Sequence, residues 1–294
     1  MPNARSVLLL VLVGLASVLF GCPPAADGPD DGAGDSSGDT NTPPPAQGEW
    51  YQPGVDTTWQ WQLQTDADGR INTTYDVDVY DIDLFDSSPE PIEELHAQGR
   101  RVICYFSAGT FEDFRPDADE FLAAELGNTL EDYVDERWLD IRSANVRRIM
   151  QARLDLAVQR GCDGVEPDNV DAYDNDSGFA LTPADQLDFN RFLANEAHAR
   201  GLSVGLKNDV DQVPELVAYF DFCVNEQCHE YDECDALQPF IDAGKPVFNA
   251  EYAAEFVNNA VRRAALCEDA RDRSFQTLVL PPDLDDAFRF ACDP

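Results

Sequence analysis

Residues 161–176 read GCDGVEPDNVDAYDND, a short apolar run that ends in a burst of carboxylates. Glu166, Asp168, Asp171, Asp174 and Asp176 crowd together there, with hardly a lysine or arginine nearby to pair with them. A strand that starts apolar and runs out into acids has the look of a parallel strand whose C-terminal end opens on a polar rim. Whether that reading holds depends on the rest of the chain repeating the pattern.

Beyond residue 55 it does. Strand-like segments are WQWQLQ (59–64), VDVYDIDLF (77–85), RVICYFSAG (101–109), WLDIRS (138–143), GCDGVEPDN (161–169), LSVGLKND (202–209), FDFCVNEQ (220–227), KPVFNAEY (245–252) and FQTLVLPP (275–282). Helical patterns lie between most of them, among them PIEELHAQGR, ANVRRIMQARLDLAVQRG and TPADQLDFNRFLANEAHARG. The last opens with Thr182 as a cap, Pro183 at the first helical position and Asp185 in the first turn, and stops at Gly201. Strands alternating with helices predict a parallel sheet with crossover helices. Eight or nine strands over about 240 residues fit an α/β fold of the (β/α)₈ TIM-barrel type better than a doubly wound sheet. Nine candidates compete for eight places, and WLDIRS or WQWQLQ is the surplus. No Gly-rich loop follows a strand, so no dinucleotide cofactor is expected.

This single domain is expected over residues 49–294. Before it, residues 1–21 carry Arg5 and the apolar run VLLLVLVGLASVLF, which is short for a membrane span of roughly 20 residues and reads as an export signal. Leu19-Phe20-Gly21-Cys22 resembles a bacterial lipoprotein box, which implies cleavage before Cys22 and lipidation of its thiol. Residues 22–48, rich in Pro, Gly, Asp and Ser, read as an extended tether. The expectation is an exported monomer, lipid-anchored to the cell envelope or released from it.

Formal charge is −37 and the chain has only two lysines, Lys207 and Lys245, which excludes nucleic acid as an expected partner, since phosphate binding needs clustered cations. Eight cysteines suit an exported protein. Cys228 with Cys234 fits a small loop staple, and Cys267 with Cys292 fits a tie at the C-terminus, while the pairing of Cys104, Cys162 and Cys223 stays open. A zinc site at Cys223, Cys228, His229 and Cys234 is the rival reading, although its spacing matches no strong zinc pattern. No calcium-loop spacing occurs, so a metal-dependent hydrolase is the weaker alternative and no metal is expected.

In a (β/α)₈ barrel the chemistry sits where strands run out. Those ends carry Asp81 and Asp83, Tyr105, Glu166 and Asp168, Lys207 with Asn208 and Asp209, Glu226, and Glu251 with Tyr252. Acids with aromatic residues among them suit a carbohydrate, which offers many hydroxyls and flat apolar faces. Two carboxyls can divide glycosidic cleavage, one ionised and one protonated. His96 and His198 fall inside helical patterns and His229 stands alone, so no Ser-His-Asp set competes.

WQWQL, YDIDLFD, VICYFSAGTFEDFRPD, WLDIRS, GCDGVEPDNVDAY, GLSVGLKND, VNEQCHEYDEC and KPVFNAEY together resemble glycoside hydrolase family 114, the endo-α-1,4-polygalactosaminidase family. The resemblance implies a barrel enzyme cutting internal α-1,4 linkages in galactosamine-containing polysaccharide. It implies two acidic catalytic residues, Asp168 of the EPDN motif and Glu226 of VNEQ; Asp168, nearer the strand's end than Glu166, is read as the nucleophile, with the choice between those two open, and Glu226 as general acid and base. Glu166, two residues from Asp168 on one face of the strand, is the third candidate catalytic group. Asp83, Tyr105, Lys207, Asn208, Asp209, Glu251 and Tyr252 are candidates for positioning substrate. Deacetylated units are ammonium ions, which an acidic cleft would concentrate. The alternative is a barrel that binds polysaccharide on a surface lipoprotein without cutting it.

Overall fold

Successive residues of a strand face opposite ways, and in the computed structural model that alternation sorts the apolar residues into two cores. The structure describes residues 48–292 apart from Ala67, Ser88 and Asp132. The expected signal, Cys22 and all but the last residue of the tether lie outside the described residues.

Eight strands run parallel in chain order: β1 (Trp59–Gln62), β2 (Val79–Asp83), β3 (Arg101–Ser107), β4 (Gly164–Asp168), β5 (Ser203–Lys207), β6 (Phe222–Glu226), β7 (Val247–Glu251) and β8 (Gln276–Val279). The expected α/β barrel is the observed architecture. At the seam the Trp59 indole N–H donates to the Gln276 carbonyl at 2.8 Å, and Arg289 donates to the Trp59 carbonyl at 3.0 Å and to Gln60 Oε1 at 2.6 Å. A short strand, Phe290–Ala291, adds antiparallel to β8. Of the two suspects for the surplus segment, WQWQLQ is β1. WLDIRS contributes instead to the strand Glu136–Leu139, which pairs antiparallel with Thr110–Glu112 and Leu126–Thr129 in a separate small sheet inserted between β3 and β4.

Inward residues Trp59, Trp61, Val79, Ile103, Phe222, Val224, Phe248 and Leu278 fill the barrel, with Trp59 stacked on Phe248 at 4.9 Å. Outward residues such as Tyr80, Ile82, Val102, Phe106, Val165 and Leu206 meet the helices through Leu95, Ile149, Leu154, Phe189 and Leu193. Four longer helices cover that layer: α1 (Pro89–Ala97), α2 (Ala144–Arg160), α3 (Pro183–Ala199) and α4 (Ala260–Arg273). Ser143 caps α2 by accepting from the N–H groups of Asn145 and Val146, and Gly161 ends it in the left-handed region at φ 88°. On α3 the capping box of Thr182 and Asp185 forms as the sequence predicts.

Disulfides join Cys228 to Cys234 and Cys267 to Cys292, as expected, and Cys104 to Cys162, while Cys223 is a buried thiol. With Cys228 and Cys234 bonded to each other, their sulfurs are not the free thiolates that the zinc reading required. Lys245 sits beneath the barrel and donates to the Val217 and Phe220 carbonyls at 2.6 Å each.

Candidate active site

The C-terminal ends of β4, β5 and β6 converge on one ammonium group. Lys207 Nζ lies 3.0 Å from Asp168 Oδ1, 3.0 Å from Glu226 Oε2 and 3.5 Å from Glu166 Oε1. Its fourth side faces the Trp61 ring, 5.0 Å from the centroid. Burial by itself would lower the Lys207 pKa, but the charges of Asp168, Glu226 and Glu166 outweigh it and hold the group well above its ordinary range. Lys207 is therefore a charged node that donates to Asp168 and faces the carboxyls of Glu226 and Glu166.

Each of the two upper carboxylates is clamped a second time. Asp168 Oδ2 accepts from the Tyr105 hydroxyl at 3.0 Å, and its Oδ1 also accepts from the Asn169 N–H at 2.7 Å. Glu226 Oε1 accepts from the Tyr252 hydroxyl at 2.6 Å, and Oε2 from Asn208 Nδ2 at 3.3 Å. Asn208 also accepts the Glu226 N–H at 2.9 Å, so one amide sets both the backbone and the carboxylate. Burial and the neighbouring acids push the Tyr105 and Tyr252 hydroxyls far above their usual value, so both remain donors.

Strand ends alone do not bring these groups together. Asn169, Asn208 and Gln227, each next to a site residue, take positive φ of 58°, 45° and 63°. For residues other than glycine that is a sparsely populated conformation, and at sites it persists because surrounding contacts hold it. Asn169 is held by its Nδ2, which donates to Ser107 Oγ at 3.0 Å and Thr110 Oγ1 at 3.2 Å. At Gly109 a Cβ would stand 1.7 Å from the Asn169 carbonyl, so the close approach of those chains needs glycine.

Asp168 and Glu226 remain partly exposed, at 17% and 27%, on the floor of a cavity of about 260 Å³. Trp61, Tyr105, Lys207 and Asn208 share that floor, and the inserted sheet and its loops supply Leu130, Tyr133 and Glu136 as a wall. A second lobe, about 280 Å³, meets the first at Asp171, Asn208 and Glu226 and is lined by Tyr173, Asp174, Asp209, Asp211 and Glu233. In it burial raises Asp171 to about 6, and burial together with Asp171 raises Asp209 to about 8.

Three expectations need correction. Glu166 is fully buried beneath Lys207, so it touches no substrate. Among the described residues no backbone N–H donates to either of its oxygens. Asp83 is consumed by a buried ion pair with Arg115 at 2.7 Å and does not line the cavity. Glu251 points away from the barrel interior, where it accepts the His229 N–H at 2.9 Å and fastens the segment after β6, and burial raises it to about 7. Asp209 lines the second lobe rather than the first, bonded to Asn190 at 2.8 Å. Sequence reasoning missed Tyr133 and Glu136, which reach the cavity from the inserted sheet and its loops. Burial raises Glu136 to about 7.

The profile of a family described as Glycoside-hydrolase family GH114 matches residues 40–294. Among solved structures, Aspergillus fumigatus Ega3 in complex with galactosamine is similar at 44% identity and a TM-score of 0.77, over 83% of this chain and 100% of that one. The glycoside hydrolase domain of PelA from Pseudomonas aeruginosa is similar in fold, with 17% identity and a TM-score of 0.59 over 79% of this chain and 97% of that one. An uncharacterized protein of Deinococcus radiodurans is 26% identical over 301 residues, 87% of this chain and 95% of its own length.

Proposed function

Because the chain belongs to glycoside hydrolase family GH114, we propose that its strand-end cavity cleaves internal α-1,4 linkages of a galactosamine-containing polysaccharide, with Asp168 as nucleophile and Glu226 as general acid and base. The observation that carries this reading is the shared ammonium. Since Lys207 Nζ is 3.0 Å from an oxygen of each, those two oxygens are no more than twice that distance apart. Retaining glycosidases place their carboxyls about 5 to 5.5 Å apart, whereas inverting enzymes need roughly 6.5 Å or more to admit a water. The spacing favours retention through a covalent intermediate.

Glu226 gives its proton to the glycosidic oxygen as the bond to the anomeric carbon breaks, and Asp168 closes on that carbon from the other face. Negative charge thereby leaves Asp168, now an ester, and appears on Glu226. In the second half Glu226 takes a proton from water, the resulting hydroxide attacks the anomeric carbon, and Asp168 departs as carboxylate. Lys207 is equidistant from both groups, so it faces one anion at each stage without moving, a preorganised stabilisation. Trp61 and Tyr133 offer flat faces for sugar rings, and the open lobes on either side of Glu226 suit a polymer that runs through rather than ends there. The acids of the second lobe suit units that carry free ammonium, and the galactosamine bound to Ega3 supports that sugar class. The export signal and Leu19–Cys22 support action from a lipid anchor at the cell envelope.

The test is reducing-end release from a partly deacetylated α-1,4-galactosamine polymer, with product anomers followed by NMR. Wild type is expected to cut with retention, and Asp168→Asn and Glu226→Gln to fold and fail. Polymer that binds but stays uncut would turn the reading toward the non-catalytic alternative.

A further inference from the structure

Directly below the catalytic floor lie two carboxyls that the mechanism above does not use. Asp81 on β2 and Glu166 on β4 both point into the barrel and are both 0% exposed. Among the described residues, apart from the Lys207 ammonium, 3.5 Å from Glu166 Oε1, no N–H or O–H donor reaches any of their four oxygens. A buried carboxylate without donors is costly, because it has given up water and gained nothing in return. Two such carboxyls facing each other relieve the cost together if one carries a proton and donates it to the other.

We propose that Asp81 and Glu166 share one proton and act as a positioning pair, holding the Lys207 ammonium level between Asp168 and Glu226 without pulling it down as a full third charge. The inference rests on the mechanism proposed for Asp168 and Glu226. The charged and titratable groups around the pair are Lys207 from β5, Asp168 from β4, Tyr105 from β3, the Cys223 thiol from β6 and the Tyr252 hydroxyl beyond β7, with Glu226 linked to it through Lys207. Both tyrosines stay neutral, so Lys207 is the cation that decides how much negative charge the cluster holds. With both Asp81 and Glu166 ionised, three carboxylates, theirs and that of Asp168, would surround one ammonium while Glu226 holds its proton. With one proton between them, Glu166 offers Lys207 a neutral acceptor for its third N–H, and Asp81 keeps the remaining charge one step further away. Burial first, and then the Asp81 charge, hold the Glu166 proton far above the carboxylate range, while burial raises Asp81 to about 7.

The experiment compares pH–rate profiles of the protein with those of Asp81→Asn, Glu166→Gln and the double variant on the galactosamine polymer. Removing the Asp81 charge lets Glu166 ionise more readily, so the alkaline limb of kcat moves to lower pH. Glu166→Gln has no proton to lose and moves the same limb to higher pH. The double variant follows Glu166→Gln rather than the sum of the two, and KM changes less than kcat throughout. Limbs that stay put, or that move the same way in both single variants, overturn the proposal and leave the pair as barrel filling. A second readout needs no turnover. Infrared difference spectra of the ¹³C-glutamate-labelled protein at about pH 8, above the values near 7 of Glu136 and Glu251, should show a protonated, label-shifted carboxylic acid band that labelled Glu166→Gln lacks, which separates it from any proton on Glu226. Its absence also overturns the proposal. If the acid band is present but no polymer is cut, the proton-sharing pair stands and the proposed activity falls.

Discussion

Lys207 shows how much one side chain settles. It holds Asp168 and Glu226 at equal distance, and its own charge survives burial because of them. Lys207→Met keeps the length of the stem and removes the charge, leaving carboxyls at the floor with no cation among them. We expect kcat to fall by about 100-fold or more, as for loss of a preorganised electrostatic group, with far-ultraviolet circular dichroism unchanged. A kcat within a few fold of wild type would mean the node is only structural. Position at the ends of strand-like segments made Asp168, Lys207, Glu226 and Tyr105 legible as candidates before the fold was known, the family resemblance gave Asp168 and Glu226 their roles, and alternation placed Glu166 on the face of Asp168. Depth was not legible. Glu166 has the right face and sits one layer too low, and Asp81, named among the strand-end acids, was not singled out. Asp83 has the inward parity too, but a partner far along the chain, Arg115, claims it.

At the scale of the element, periodicity marks a strand but not its partners. WLDIRS alternates like a barrel strand, yet its register is with the inserted strands, and the cavity wall of Leu130, Tyr133 and Glu136 follows from that placement. Such a wall is set by tertiary docking, which no local pattern encodes. The Cys104–Cys162 bridge ties β3 to the turn before β4, the two strands whose ends carry Tyr105 and Asp168, and it closes a loop of 58 residues. The chain-entropy account gives about 4 kcal/mol for a loop of that size. The Cys104→Ala, Cys162→Ala double variant should lose most of that in guanidinium unfolding, with m rising as the unlinked denatured chain exposes more surface. A loss below about 1 kcal/mol would show that neighbouring packing, rather than the bridge, holds these strands together.

Across the whole molecule, buried carboxyls dominate the response to pH. Burial raises Asp81, Glu136 and Glu251 to about 7, Asp171 to about 6 and Asp209 to about 8, from ordinary values of 3.8 for Asp and 4.5 for Glu. A carboxyl whose folded pKa exceeds its unfolded one binds its proton more tightly when folded. Its contribution to stability is complete below the unfolded value and is lost as pH rises through the folded value. Glu125, where bonds from Ser143, Leu122 and Asn145 outweigh burial, and Asp185, bonded to Thr182, are shifted down and lose their contribution only in acid. The melting temperature should therefore peak at about pH 4 and decline from there to about pH 8, with Asp209→Asn flattening part of the decline. Calorimetry that finds a flat or rising melting temperature over that range would refute this account.

The placement of the two lysines carries a practical consequence. Lys207 is packed among carboxylates, and Lys245 spends its ammonium on two backbone carbonyls. No other side-chain amine exists in the chain. Aldehydes and activated esters will thus find almost nothing to label on this protein, while they react freely with an amine-bearing polysaccharide. Amine-directed crosslinking of such a polymer will join little of the protein to it through side chains, and fixing the protein to a solid support is better done through its abundant surface carboxylates.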